Sequence, residues 1–201
     1  MSLLFETIKI ENRLPVNIYF HNERLNKSRK ELFGINNFMD IKKAIDVPDN
    51  LGNGIYKCKL VYSRGINRVE FIEYKMREIN KLIAVTDNEI EYKYKYLNRS
   101  ALKKLLEKHI SSFNEEILII KNGFITDTSF SNIIFFDGTK WFTPANPLLR
   151  GTQREKLLSD KFLVESEIKL SDLRFFKQFK LINAMIDIDT APHLLIDNII
   201  F

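Results

Sequence analysis

The chain has 201 residues, 45% hydrophobic and 28% charged, with a net charge of +5; this suffices for one good-sized domain or two small ones and excludes a disordered polyelectrolyte. No apolar run approaches bilayer length, and the opening MSLLFETIKI lacks a basic stretch before Glu6, so neither membrane insertion nor a secretory signal is expected. A single cysteine, Cys58, excludes an internal disulfide and fits a reducing cytosol, while the mixing of Lys and Arg with acids makes most of the basic excess a solvated surface.

In chain order, FETIKIEN alternates as a strand does, and PVNIYFHNERLNKSRKELFG reads as a helix closing at Gly34. A short helix in MDIKKAI and the turn-rich loop VPDNLGNG follow. IYKCKLVYS and NRVEFIEYK form a hairpin turning through Arg64-Gly65-Ile66. LIAV suits a buried strand. EYKYKYLNR is strand-like, with Lys93 and Lys95 on one face and Tyr92, Tyr94 and Tyr96 on the other. A soft boundary near residues 86–90 gives a small α+β domain over 1–88 and a larger domain with a β-sheet core over 89–201.

The second half opens with a helix after Asn98, on which Leu102, Leu105, Leu106, His109, Ile110 and Phe113 define one buried stripe. EEILIIK turns at Asn122-Gly123 into FITD, and SNIIFF turns at Asp137-Gly138 into KWFTP; both dipeptides favour tight hairpins. A helix starts at Gly151, and the chain closes with strand-like FKLINAMIDI and HLLIDNIIF. The whole reads as mixed α/β of the α+β type, without repeats or low-complexity tracts.

Which residues could carry chemistry? Gly151-Thr152-Gln153-Arg154 opens a helix whose first-turn N–H groups and positive dipole end favour a phosphate, although many helices begin this way and bind nothing. Lys93 and Lys95 allow three readings, which spacing alone ranks in this order. They form an exposed basic edge, or a nucleic-acid surface with the tyrosines, Lys103 and Lys104, or one of them is a pocket lysine of lowered pKa suited to a Schiff base. His21, His109 and His193 lack metal-ligand spacing, and no Ser-His-Asp or Gly-rich dinucleotide motif is present.

The combination changes that ranking. KYLNR at 95–99, GFITDTSFSNIIF, TP and GTQREKLL together resemble the class-IV aminotransferase family of fold-type IV pyridoxal-phosphate enzymes. That family holds branched-chain and D-amino-acid aminotransferases and 4-amino-4-deoxychorismate lyase. FET at 5–7, HNERLNKSRKELFG, SRG at 63–65 and LINAMIDI extend the resemblance over nearly the whole chain, in order. The motifs are most like those of the lyase. The family's opening strand pair and Asp-Arg-Gly-x-x-x-Gly-Asp-Gly stretch do not precede FET here, so a shortened two-domain architecture is expected, with substrate specificity left open.

The resemblance implies the following roles. Lys95, in the Lys-x-Leu-Asn-Arg pattern, bonds covalently to pyridoxal 5'-phosphate and carries the Cα proton, with Lys93 as its rival. Arg24 pairs with the phosphate, the N–H groups of Thr152 and Gln153 complete that cup, and Ala184 lies near it. Ser131 and Asn132 shape the cofactor floor. Asp127 takes the place of the family's glutamate at the pyridine nitrogen, one methylene shorter. Arg64 receives the substrate carboxylate in some members, and Arg99 stands where branched-chain enzymes carry a tyrosine, as in the lyase. The expected activity is pyruvate elimination giving 4-aminobenzoate for folate synthesis, in a cytoplasmic homodimer acting on a small amino substrate, without nucleic acid or membrane. Alternatives are a branched-chain or D-amino-acid aminotransferase, a cofactor-binding relic without turnover, and a basic nucleic-acid-binding protein.

Overall fold

The computed structural model describes residues 2–201, and the chain divides into two compact units. One comprises the chain up to Lys75 together with Tyr94–Asn98; the other comprises Met76–Lys93 and Arg99–Phe201. Among the described residues no helix is long and apolar enough to cross a membrane.

In the first unit β1 (Leu4–Glu11) turns into the two-residue β2 (Leu14–Pro15), and α1 (Ile18–Phe33) follows. That helix stops at Gly34, whose φ of 68° is open to glycine without strain and whose N–H reaches the carbonyls of the last turn. The short α2 (Ile41–Ala44) is capped by the Asp40 side chain on the Lys42 N–H. β3 (Ile55–Tyr62) and β4 (Ile66–Glu73) form the expected hairpin, with Ile66 already in the second strand. The antiparallel order is β2-β1-β3-β4. Alternation along β1 turns Leu4, Ile8 and Ile10 into a core with Leu25, Ile41, Cys58, Leu60 and Tyr62. Each such aliphatic side chain contributes roughly 1.5–3 kcal/mol on burial.

EYKYKYLNR is not a strand. Among 87–99 only Tyr96 forms an isolated bridge, to Leu4, and the segment runs beside β1 through Phe5 N–H to Lys95 O (3.0 Å) and Leu97 N–H to Leu3 O (2.9 Å). Tyr94 and Tyr96 pack against the first unit's core, whereas Tyr92 is buried in the second unit. Tyr92 thus belongs to one unit and Tyr94 and Tyr96 to the other, which divides the tyrosines that alternation placed on one face.

The second unit contains β5 (Lys81–Thr86), α3 (Ser100–His109), β6 (Glu115–Lys121), β7 (Phe124–Thr128), β8 (Asn132–Phe136) and β9 (Trp141–Pro144). Then come α4 (Thr152–Ser159), β10 (Leu163–Ser166), β11 (Gln178–Ile182), β12 (Leu194–Leu195) and β13 (Ile199–Ile200). Among the described residues these strands form a nine-stranded mixed sheet, with β11 pairing both β8 and β12 off the main path. Asn122-Gly123 makes the expected tight turn, both residues at positive φ. Asp137-Gly138 opens a wider one, in which the Asp137 carboxylate accepts from the N–H groups of Thr139 and Lys140. The α3 stripe is only partly realised: Leu102 is buried, Leu105, Leu106, His109 and Ile110 are half-buried, and Phe113 is 75% exposed. The helix ends at His109, so Phe113 leaves its phase and lies against the Arg77 guanidinium instead.

Candidate functional site

In the first unit Glu6 is a carboxylate on the core-facing side of β1, fully buried. It is met by two residues one turn apart on α1. Arg24 donates Nε to Oε1 (2.9 Å) and Nη2 to Oε2 (2.5 Å), and His21 Nδ1 lies 2.6 Å from Oε2. Burial would raise the Glu6 carboxyl, but the Arg24 charge and the His21 hydrogen bond outweigh it and hold it down to about 2. Burial lowers the His21 pKa against the pull of Glu6. Lys95 is half-buried, its Nζ 4.8 Å from the centre of the Phe5 ring. Lys93 is exposed. Arg64 sits exposed on the β3–β4 turn, and its carbonyl is gripped by Nε and Nη2 of the buried Arg29 at 3.2 and 3.1 Å.

In the second unit the site grows from a branch in the sheet. β7 and β8 pair at one position, Asp127 opposite Asn132, and opposed residues of an antiparallel pair share a face. Asn132 Nδ2 therefore donates to Asp127 Oδ1 (2.7 Å), and also to Leu149 O (2.9 Å). The Leu149 N–H returns a bond to Asp127 Oδ2 (2.9 Å). Asp127 is 4% exposed. Burial pushes its carboxyl up to about 6, against the Leu149 N–H, the Asn132 amide and the more distant Arg154 charge.

The turn between β7 and β8 is tied by Thr128 Oγ1, which accepts from the Ser131 N–H (3.0 Å) and lies 2.7 Å from Ser131 Oγ. The Ser129 N–H donates to the buried Glu116, itself paired with Arg77 (2.9 Å). Arg99 Nη2 donates to Ser129 O (2.5 Å), while its Nε is buried without a hydrogen-bond partner. Thr152 and Gln153 are buried in the first turn of α4, which Gly151 enters without a side-chain cap. Arg154 anchors that turn on Pro144 O (2.8 Å) and Glu165 (2.6 Å). Ala184 lies in the tight turn after β11, two residues beyond Ile182, the register partner of Asn132.

The structure thus brings Asp127, Asn132 and the start of α4 together, and Ser131 together with Arg99 through the Thr128–Ser131 turn. Arg24 is joined to Glu6 and His21. Sequence reasoning gives Glu6 no role beyond the FET pattern, does not single out Thr128 or Glu116, and says of His21 only that it lacks metal-ligand spacing. A signal for Glu6 was available, because in LFETIKI the acid falls in the same alternating register as Leu4, Ile8 and Ile10.

The sequence matches the amino-transferase class IV family over residues 3–188. It is 38% identical over 187 residues to an uncharacterized protein from Haemophilus influenzae, covering 92% of this chain and 98% of that one. A solved candidate 4-amino-4-deoxychorismate lyase from Haemophilus somnus is 32% identical, with a TM-score of 0.81 over 92% of this chain and 97% of that one. A hypothetical aminotransferase from Mycobacterium tuberculosis, in its pyridoxal-phosphate-bound form, shares the fold at 16% identity, with a TM-score of 0.77 over 96% of this chain and 80% of that one. The chain therefore belongs to the class IV aminotransferases, a pyridoxal-phosphate-dependent family of mixed α/β fold.

Proposed function

We propose that this protein is a pyridoxal-phosphate-dependent lyase that eliminates pyruvate from 4-amino-4-deoxychorismate and leaves 4-aminobenzoate for folate synthesis. The observation that carries the cofactor half of this reading is Asp127, a buried carboxyl held by an amide and a backbone N–H and raised by burial. Such a group gains a counter-charge from a protonated ring nitrogen. The other residue types the reading uses suit the same chemistry: a half-buried lysine for an aldehyde, and a guanidinium and a helix N-terminus for a phosphate. The lyase half is supported by Lys95-Tyr96-Leu97-Asn98-Arg99 and by likeness to the Haemophilus somnus protein.

When bound, pyridoxal phosphate supplies an aldehyde for amines and a ring that takes up the electron pair released at the substrate Cα. The protein does the rest. Lys95 Nζ would hold the aldehyde at rest and, once the substrate amine has displaced it, would be the base that takes up the Cα proton. Asp127 keeps the ring nitrogen protonated, with Asn132 fixing the carboxylate and Ser131 shaping the floor. Arg24, with the N–H groups of Thr152 and Gln153 and with Ala184 nearby, holds the phosphate. Arg64 and Arg99 take the substrate carboxylates. The same reading expects a cytoplasmic homodimer with a small amino substrate, and no nucleic acid or membrane.

The test is direct. Purified protein with pyridoxal phosphate should turn yellow and, with 4-amino-4-deoxychorismate, release pyruvate and 4-aminobenzoate. Amino-group transfer to a keto acid without pyruvate release would reassign it to branched-chain or D-amino-acid aminotransfer. Cofactor colour without either product would make it a relic. A colourless protein that binds nucleic acid instead would overturn the whole reading.

A further inference from the structure

We propose that Glu6 is the positioning residue of Arg24, fixing the guanidinium in the orientation in which it meets a phosphate; this rests on the cofactor reading above. Glu6 stands among Leu4, Ile8 and Ile10 on the apolar side of β1, where a carboxylate costs solvation and a buried pair adds little net stability. Its geometry shows what it does instead. Nε and Nη2 lie on one edge of the guanidinium fork, and both donate to Glu6, so the plane and the roll of Arg24 are set together. His21 Nδ1 occupies the second lone pair of Oε2 and keeps the carboxylate from swinging away.

The Glu6–Arg24 pair is neutral overall, so directed N–H groups rather than net charge are what an anion meets. That separates positioning from simple electrostatics by sign. Removing the Glu6 charge should strengthen anion binding if charge alone matters, and weaken it if orientation matters.

The experiment compares wild type, Glu6→Gln, Arg24→Gln and the double variant. Each is titrated with pyridoxal phosphate and with pyridoxal, which lacks the phosphate, and binding is read from the absorbance of the lysine-bound aldehyde. Circular dichroism checks the fold. Wild type should prefer the phosphorylated form, and Arg24→Gln should cut that preference at least tenfold. Glu6→Gln should cut it severalfold, with unchanged pyridoxal affinity, and the double variant should fall no further than Arg24→Gln. A preference kept or raised in Glu6→Gln overturns the proposal. If Glu6→Gln does not fold, Glu6→Asp, with its charge drawn back by one methylene, must give an intermediate preference. Full preference there would leave Glu6 a purely stabilising residue and also overturn the proposal. If Arg24→Gln leaves the preference intact, the assignment of Arg24 to the phosphate fails first, whatever Glu6 does.

Discussion

Gly151 stands where the Asn132 amide leaves no room for a side chain: a Cβ there would lie 2.0 Å from Asn132 Oδ1. Its φ of −72° is ordinary, so the close approach and not the backbone angle demands glycine. Nor can Asn132 retreat, since its Nδ2 is committed to Asp127 and Leu149. Asn132, Asp127 and the entry to α4 are therefore one packed unit.

Gly151→Ala should cost about 1–3 kcal/mol, the usual range for overpacking, and weaken pyridoxal phosphate binding through Asp127. Asn132→Ala removes the obstacle, so the double variant should lose much less than the sum of the singles. Urea denaturation of the four proteins gives the coupling. Additive losses would show that the two residues do not meet.

Two buried acids set opposite pH limits on the stability of the protein without cofactor. Glu6 titrates at about 2 when folded against a reference of 4.5, so its stabilisation is complete above 4.5 and is lost as pH falls toward 2. Asp127 is raised from 3.8 to about 6, so its contribution is complete below 3.8 and is lost as pH rises through 6, on the order of 3 kcal/mol. Melting temperature should decline between pH 4 and 7 in the cofactor-free protein, and Asp127→Asn should flatten that limb. Glu6→Gln should flatten only the acid limb. A profile with no Asp127-dependent change across pH 4–7 would contradict the buried-carboxyl account.

Lys95 and Lys93 differ in a way their spacing could not show. Lys95 is half-buried over Phe5 while Lys93 is exposed. Borohydride reduction of the cofactor-loaded protein followed by peptide mapping should place the label on Lys95. Lys95→Ala should abolish the yellow colour and Lys93→Ala should leave it; the reverse result would exchange their roles.

What could be read from the sequence follows from which forces are local. The alternation of β1, the αL glycine ending α1 and the Asn122-Gly123 turn are encoded within a few residues, and all stand. EYKYKYLNR has the same alternation as a strand, but its ladder partners are missing over most of its length and its tyrosines serve two units. Phe113 follows helical spacing beyond the point where the helix stops. Asp127 and Asn132 were visible as types, but the Leu149 contact joins residues 22 positions apart and no local pattern announces it. The demand for Gly151 is likewise invisible locally, because the residue that excludes its side chain lies in another element.

Arg29 and Arg64 offer the sharpest separation of stability from substrate binding. Arg29 is 2% exposed, and beyond the Arg64 carbonyl it donates to Asn37 O (2.8 Å) and to the side chains of Asn26 and Asn37. Asn37 is exposed and Asn26 half-buried, so water replaces part of what is lost, and Arg29→Met should cost roughly 1–3 kcal/mol. Arg64 uses only its backbone in this grip, and its exposed side chain should be dispensable for folding, within about 0.5 kcal/mol. If that side chain receives a substrate carboxylate, Arg64→Ala should raise KM at least tenfold with little change in kcat. Arg29→Lys, which keeps the charge but not the fork, should lower the melting temperature and raise KM together, because the turn that carries Arg64 loosens. Thermal melts paired with steady-state kinetics on all three variants decide the matter, and an Arg64→Ala enzyme with unchanged KM would remove Arg64 from the substrate site.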